Sequence, residues 1–448
     1  MSILFLVLSI SLVVWLTAKV KMHAFIALLL VAIIFGLVSG MPFDQIISSI
    51  NKGFGNTMAG IGLIIILGVI IGAFLENTGG AYALADKVLN LTGKRKTPLA
   101  MGLIGWIISI PVFADSGFML MSPLNKSLAK KAGITLTATT IALAMGLMAS
   151  HTLVPPTPGP IAAAHFLNAN LGWVMLMGIP ASLFGLTMVL IFIKIYVSKT
   201  YIDPNPKLNE SDIELKLKTS PSASKSVLPI IVPIVLIVLK SALTLFKPIT
   251  EDFEIIPFWY KTIVFLGEPF IALLIGCIFA ILLPKKLDRE IFSTTGWIGK
   301  ALVSASTILL ITGAGGIFGQ VLRDSGVVKI LGDSMSSMNM GLFMPFLLAS
   351  AIKTAQGSST VALITTASIV APMLMSLGFE SEIDKALVVL SIGAGSSVAS
   401  HANDSFFWVV TGMSNMESKL GYKFHTMGSL ILGVSVILFL AILRLLIN

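Results

Sequence analysis

The sequence predicts an all-α, polytopic membrane protein made of two inverted-topology repeats, each of about five spans plus a re-entrant hairpin. Three observations predict it. The first is composition: of 448 residues, 56% are hydrophobic and only 11% charged, the mean hydropathy is +0.96, and a soluble domain carries about 25% charge. The second is length. Apolar runs at 2–18, 24–39, 172–193, 262–284 and 427–447 match what crosses a hydrocarbon core about 30 Å thick, and they lack the alternation of a β-barrel strand. The third is recurrence of the same landmarks in the two halves. Together these exclude a water-soluble enzyme, a nucleic-acid binder and a disulfide-stapled secreted scaffold.

Basic clusters mark the inner face and order the spans. The apolar stretch from Ile3 to Leu16 has no basic region before it and is followed by Lys19 and Lys21, which predicts a retained first span with its N-terminus outside. A second span over 23–40 and a third over 57–75 bring the chain back inside at Lys87 and Lys94-Arg95-Lys96. The stretch 98–128 has Pro111, Asp115, Ser116 and Gly117 in its middle and basic residues at both ends, with Lys126, Lys130 and Lys131 after it. Both ends therefore lie inside, and a hairpin with its tip at 111–117 satisfies this, since non-helical backbone at membrane depth needs protein or a polar cavity around it. A helix over 134–160 is broken at Ser150-His151-Thr152 and Pro155 to Pro160, where helical hydrogen bonding cannot continue. A span over 172–195 leads into the polar segment 198–227, read as a cytoplasmic linker.

The second half repeats this plan. FIALL at 25–29 recurs at 270–274; Gly68, Gly72, Thr78-Gly79 and Asp86 recur as Gly315, Gly319, Ser325-Gly326 and Asp333; Ser150-His151 recurs as Ser400-His401. The offsets are 245, 247 and 250 residues. The first repeat is thus 1–197 and the second 228–448, with its own hairpin over about 341–377 and broken helix over about 385–412. An odd number of crossings inverts the second copy. Glu251, Asp252 and Glu254 then fall outside with Glu380, Glu382 and Asp384, and Lys285, Lys286 and Arg289 inside. Inverted repeats with broken helices near the midplane are the architecture of secondary transporters.

Helix N-termini at a hairpin tip offer free N–H groups and a positive dipole end, which suits a carboxylate. Ser116 and Gly117 in PVFADSGF, and Gln356, Gly357, Ser358, Ser359 and Thr360 in KTAQGSST, are the candidate donors; small residues that let hairpin arms pack give the same pattern. Asp115, Lys353 and Asp404 are ionisable groups at membrane depth and so mark a functional site. The breaks add Ser150, His151 and Thr152, and Ser400, His401 and Asn403, as groups that donate to and accept from a hydroxylated substrate. Asp115, Asp404, His151 and His401 are the proton-carrying candidates. Arg323-Asp324, near a membrane face, read as a helix cap or an interface salt bridge, and Gly68/Gly72 and Gly315/Gly319 as close helix packing. His23, His165 and His425 receive no role.

No cofactor is implied. The lone Cys277 allows no disulfide or cysteine metal site within the chain, no GxxxxGK[ST] run is present, and HExxH spacing is absent. An integral-membrane enzyme and a channel are the remote alternatives to a carrier.

The runs FLENTGGA (74–81), PVFADSGF (111–118), SHTLVPPTPGP (150–160), GQVLRDSG (319–326), KTAQGSSTVA (from 353) and SVASHANDSFFW (from 397) resemble the gluconate permease family, within a wider ion-transporter superfamily, over nearly the whole chain. The resemblance implies a bacterial inner-membrane carrier that takes up gluconate-like sugar acids with protons, by an elevator-type movement of a transport domain against a scaffold, in an assembly that is often a homodimer. It implies as partners the bilayer, a small carboxylate and the coupling proton. The tip differs from the Glu-containing PLFFEVGF-like tip of gluconate-type members, which leaves glycerate or another aldonate open as the substrate; D-serine is a further option because some members of the family carry it, and sodium is an alternative coupling ion because unwound carbonyls and Ser/Thr near the tips can coordinate it.

Overall fold

A computed structural model describes residues 2–92, 96–204, 218–246, 257–326, 340–401 and 404–447, and among them the regular elements are all helical. Lys94, Arg95, Asp333, Asn403, the acidic segment 251–254 and residues 205–217 of the 198–227 linker lie outside the described residues. The first half holds α1 (Ser2–Ala18), α2 (Ala24–Val38), α3 (Phe43–Asn77), α4 (Gly80–Thr92), α5 (Thr97–Ile108), α6 (Ala114–Ala132), α7 (Leu136–Leu153), α8 (Pro158–Phe166) and α9 (Leu171–Ile195). After the linker come α10 (Ala223–Phe246), α11 (Phe258–Leu266), α12 (Pro269–Ile281), α13 (Trp297–Asp324), α14 (Phe343–Gln356), α15 (Ser359–Val370), α16 (Glu382–Ser397) and α17 (Ser405–Met413). A short turn at Ser418–Gly421 and a π-helix at Tyr422–Thr426 lead into α18 (Met427–Ile447).

Local chemistry sets the ends. Asn170 Oδ1 accepts from the N–H groups of Gly172 and Trp173 and opens α9, and Ser381 does the same for α16 through Asp384; short polar side chains fill this role because they replace missing carbonyl partners. α6 closes at Gly133, whose φ of 65° is left-handed, with Lys130 and Lys131 in the last turn facing the negative dipole end.

Six helical segments are long and apolar enough to cross a bilayer, or seven if α11 and α12 form one bent span. Length alone therefore does not reach five crossings per half, because α2, α5, α14 and α15 have only 12–15 residues, and 12 residues of helix rise about 18 Å. Two elements depart from expectation. The third span starts at Phe43, not near 57: nothing in 43–77 interrupts the helix, and its 35 residues extend about 52 Å. The apolar run 262–284 is not one helix but bends by 70° between α11 and α12, where Gly267 closes one helix and Pro269 opens the next.

Burial sorts the helices. α7 is buried at every position, as an all-round apolar helix at the centre of a bundle must be. α10 and α18 instead turn Ile231, Val235, Leu438 and Ile442 outward. The long helices α3 and α13 pack along one another, with the Gly53 and Gly316 backbones in direct contact, an approach that only small residues allow. α2 packs on α13 and α12 on α3; α5 on α7 and α14 on α16; α8 on α15 and α17 on α6. Chain breaks separate α5 from α6, α7 from α8, α14 from α15 and α16 from α17. Gly68 and Gly72 do not pair two helices. They receive two of these breaks: a Cβ at Gly68 would lie 3.2 Å from the Pro156 carbonyl oxygen, and one at Gly72 would collide with that of Pro111.

Candidate functional site

Three helix starts converge on one cavity of about 280 Å³. α6 contributes Phe113, Ala114 and Asp115, α15 contributes Gly357 to Thr360, α17 contributes Asp404, Ser405 and Phe406, and Met148 and His151 of α7 close it. Each start carries first-turn N–H groups with no carbonyl four residues back. Phe113 supplies no side-chain cap to α6; Ser358 caps Val361 in α15 and Asp404 caps Phe406 in α17. The cavity thus collects three positive helix ends, an arrangement that favours a negatively charged group.

Beside it lies a buried ion pair. Lys353 is 1% exposed and Asp404 5%, and Lys353 Nζ donates at 2.5 Å to Asp404 Oδ2 and at 2.5 Å to the Gly357 carbonyl. Lys353 sits in the last turn of α14, where a cation meets the negative dipole end. Gly357 makes the turn possible with φ of 93°, a value that L side chains rarely adopt. Asp404 also accepts from the Ser400 hydroxyl and, through Oδ1, from the Phe406 N–H at 3.0 Å. The pair therefore ties the break between α14 and α15 to the break between α16 and α17.

The structure brings some of the expected residues together and sets others apart. Asp115, His151, Gly357, Ser358, Ser359, Thr360 and Asp404 line the cavity. Asp115 Oδ1 and His151 Nδ1 are buried with no hydrogen-bond partner among the described residues, and His151 Nε2 lies 3.4 Å from Thr360 Oγ1. Ser116 lines a different cavity. Gly117 packs against Leu147 and Ile108. Ser150 and Thr152 are buried and donate to the Leu147 and Met148 carbonyls of their own helix. Ser400 holds Asp404, and His401 meets the Thr354 carbonyl at 3.0 Å. Only the backbone of Gln356 is described. Arg323 bonds Gln320 of its own helix, while Asp324 accepts from Ser49 at 2.6 Å and so links to α3; neither forms a salt bridge among the described residues.

Sequence reasoning passed over two residues. His425 is fully buried, with Nε2 3.0 Å from Ser400 Oγ. Its neighbours satisfy the same break: Thr426 donates to the Ser400 carbonyl at 2.6 Å and Ser429 accepts from the Ser400 N–H at 3.0 Å. The signal was a small polar cluster, His425-Thr426 and Ser429, at the mouth of an apolar span. Phe113 is the other. Its ring meets His151 edge-on at 6.0 Å between centroids, and it also lines a second cavity of about 290 Å³ between α3, the 111–116 break and α13, where Glu76, Ser116 and Lys300 lie.

Residues 1–446 match the sequence profile of the GntP family permeases. The chain belongs to the GntP permease family. This is the family that its motifs resemble, and it makes the protein a multi-pass membrane transporter and not an enzyme. The permease is 36% identical to an uncharacterized permease of Haemophilus influenzae over 91% of this chain and 85% of that protein. It is 33% identical to the low-affinity gluconate transporter of Escherichia coli K12 over 95% of this chain and 94% of that one. The solved structure of Neisseria gonorrhoeae MtrF, one of a class of antimetabolite efflux pumps, shares the fold with a TM-score of 0.66 at 14% identity, covering 97% of both chains.

Proposed function

We propose that this permease is a secondary active carrier that takes up a small hydroxylated carboxylate of the gluconate type by proton symport, with an elevator-type exchange of access. The observation that carries this reading is the convergence of three helix N-termini on one cavity of about 280 Å³, a fit for a carboxylate held by backbone N–H groups. His151, Thr360 and Ser359 supply groups that can bond hydroxyls on the same substrate. The gluconate transporters among its relatives support the substrate class.

Charge counting supports a proton as the co-ion. Lys353 and Asp404 cancel, and Asp115 leaves one negative charge at a cavity that admits a second. A proton on Asp115 removes that conflict. Asp404 already serves Lys353, Ser400 and the Phe406 N–H, which argues against it as the carrier, and His401 is engaged with Thr354. The two-repeat, two-hairpin plan is supported by packing pairs that recur with partners exchanged, α2–α13 with α12–α3 and α8–α15 with α17–α6. Exchange of access is supported by the cavity between the 111–116 break and the long helices, with Phe113 standing between it and the site.

The test is uptake of labelled gluconate and glycerate into proteoliposomes under an inward proton gradient without sodium. Accumulation that collapses with a protonophore is expected. Asp115→Asn is expected to abolish accumulation but to keep exchange of labelled for unlabelled substrate. Accumulation that ignores the protonophore, or an Asp115→Asn carrier that still accumulates, refutes the reading.

A further inference from the structure

We propose that the Lys353 ammonium is a tethered cation that permanently fills a position where an alkali ion would otherwise bind, and so makes the carrier independent of sodium. The proposal rests on the transport-site reading above and names a positioning residue within it.

The geometry around Nζ is that of a cation site. Its oxygen partners are a carbonyl freed by a helix break, Gly357, and a carboxylate, Asp404, each at 2.5 Å. Helix C-terminal ends and unwound carbonyls are the groups that coordinate sodium in carriers with broken helices. The Ser400 hydroxyl stands beside them on the same carboxylate oxygen. The side chain reaches this point by extending forward past the end of its own helix to the carbonyl four residues on, so that Lys353, in the last turn of α14, neutralises the exposed carbonyl end of that helix.

The surroundings leave little else for the charge to do. The titratable groups around it are Asp404, Asp115, His151 and His425. Only Asp404 touches it among the ion pairs formed by the described residues. At 1% exposure Lys353 has lost its water, a loss that an ion pair of this kind repays poorly in stability. A buried lysine at a helix break is therefore better explained by a charge that the site requires in every turnover. A fixed charge at this point still holds the two breaks together when the substrate has left, a task that a dissociable ion would perform only while bound.

The experiment compares the full-length wild type with Lys353→Ala, both purified in sodium and then exchanged into sodium chloride or choline chloride at equal ionic strength. Thermal unfolding in detergent needs no substrate. The wild type is expected to show the same midpoint in both salts. Lys353→Ala opens the oxygen-lined position, and sodium is expected to raise its midpoint by about 3 °C or more, since an ion that binds only the folded state stabilises it. In proteoliposomes the wild type is expected to transport equally in both salts, and Lys353→Ala to lose about tenfold or more in choline and to recover several-fold in sodium. Sodium-dependent stability or uptake in the wild type overturns the proposal, as does a folded Lys353→Ala that ignores sodium. A Lys353→Ala chain that fails to fold even in sodium, while the neutral pair Lys353→Met with Asp404→Asn folds, also overturns it. If the wild type takes up no sugar acid, the substrate assignment fails while the thermal comparison still decides the role of Lys353.

Discussion

Asp404→Asn isolates the charge of the buried pair with little change of shape. Asparagine is as good an N-cap as aspartate, so the bond from the Phe406 N–H, 3.0 Å in the native chain, survives. What is lost is the carboxylate 2.5 Å from an ammonium that is 1% exposed. Breaking one partner of a buried pair costs about 3–5 kcal/mol because the other charge is left uncompensated. Replacing both, Lys353→Met with Asp404→Asn, removes that penalty and is expected to bring stability back to within about 1 kcal/mol of wild type or above it. The thermodynamic cycle then gives a coupling of about 3 kcal/mol, at the upper end for residues in contact. Equilibrium unfolding in mixed detergent and SDS micelles measures all four corners. An Asp404→Asn chain within 1 kcal/mol of wild type, or a double variant whose loss equals the sum of the singles, refutes the ion pair as the link between the two breaks.

Three further outcomes follow from the packing. Phe118, fully buried and edge-on to Phe406 at 6.1 Å, joins α6 to α17; Phe118→Ala is expected to cost about 3–5 kcal/mol in the same assay. Gly72→Leu drives a side chain into the Pro111 carbonyl, so uptake is expected to fall at least about tenfold in membranes where immunoblotting shows normal amounts, the break between α5 and α6 having been pushed off its position. Phe113→Ala removes the ring shared by the two cavities; preloaded vesicles are expected to leak substrate faster than wild type, and an unchanged efflux rate would show that the ring is not a barrier.

The membrane class and the positions of the chain breaks were legible because each rests on local chemistry. Pro111, Pro155, Pro156 and Gly357 fall in the breaks, and Pro158 and Pro160 open α8, as their backbone chemistry favours, although Pro123, Pro180, Pro229 and Pro233 lie inside helices that continue through them. The boundary of α3 was not legible. Its first turns carry Asp44, Gln45, Ser49 and Lys52, which read as a loop until the partner is known: Ser49 is buried against Asp324 of α13, a contact 275 residues away in the chain. The bend near Gly267 carried a local signal, Gly267-Glu268-Pro269, which was passed over because the apolar residues on both sides add up to one span's length; in the fold Lys240 of α10 meets Glu268 there at 2.5 Å.

The site divides in the same way. Asp115, His151, residues 357–360 and Asp404, which line one cavity, were singled out because a polar group at membrane depth needs a reason, and that argument requires no knowledge of neighbours. It does not say which polar groups face a cavity and which are consumed by the backbone. Thr152 and Ser150 bond carbonyls of their own helix, the ordinary fate of a hydroxyl inside a helix, so the repeated Ser-His pair contributes to the cavity only through His151 in one copy and only through Ser400, by way of Asp404, in the other. His425 shows the limit most sharply. Alone in sequence it is one histidine near a loop; in the fold it is the far end of a buried chain running Lys353, Asp404, Ser400, His425. Ser400 and Asp404 lie four residues apart within one break, but Lys353 meets Asp404 from another break and Ser400 meets His425 of the π-helix before α18, so no helical periodicity reveals the chain. The residues that a reading of helices ranks lowest, those where helices stop, are the ones on which the charged groups of this permease are assembled.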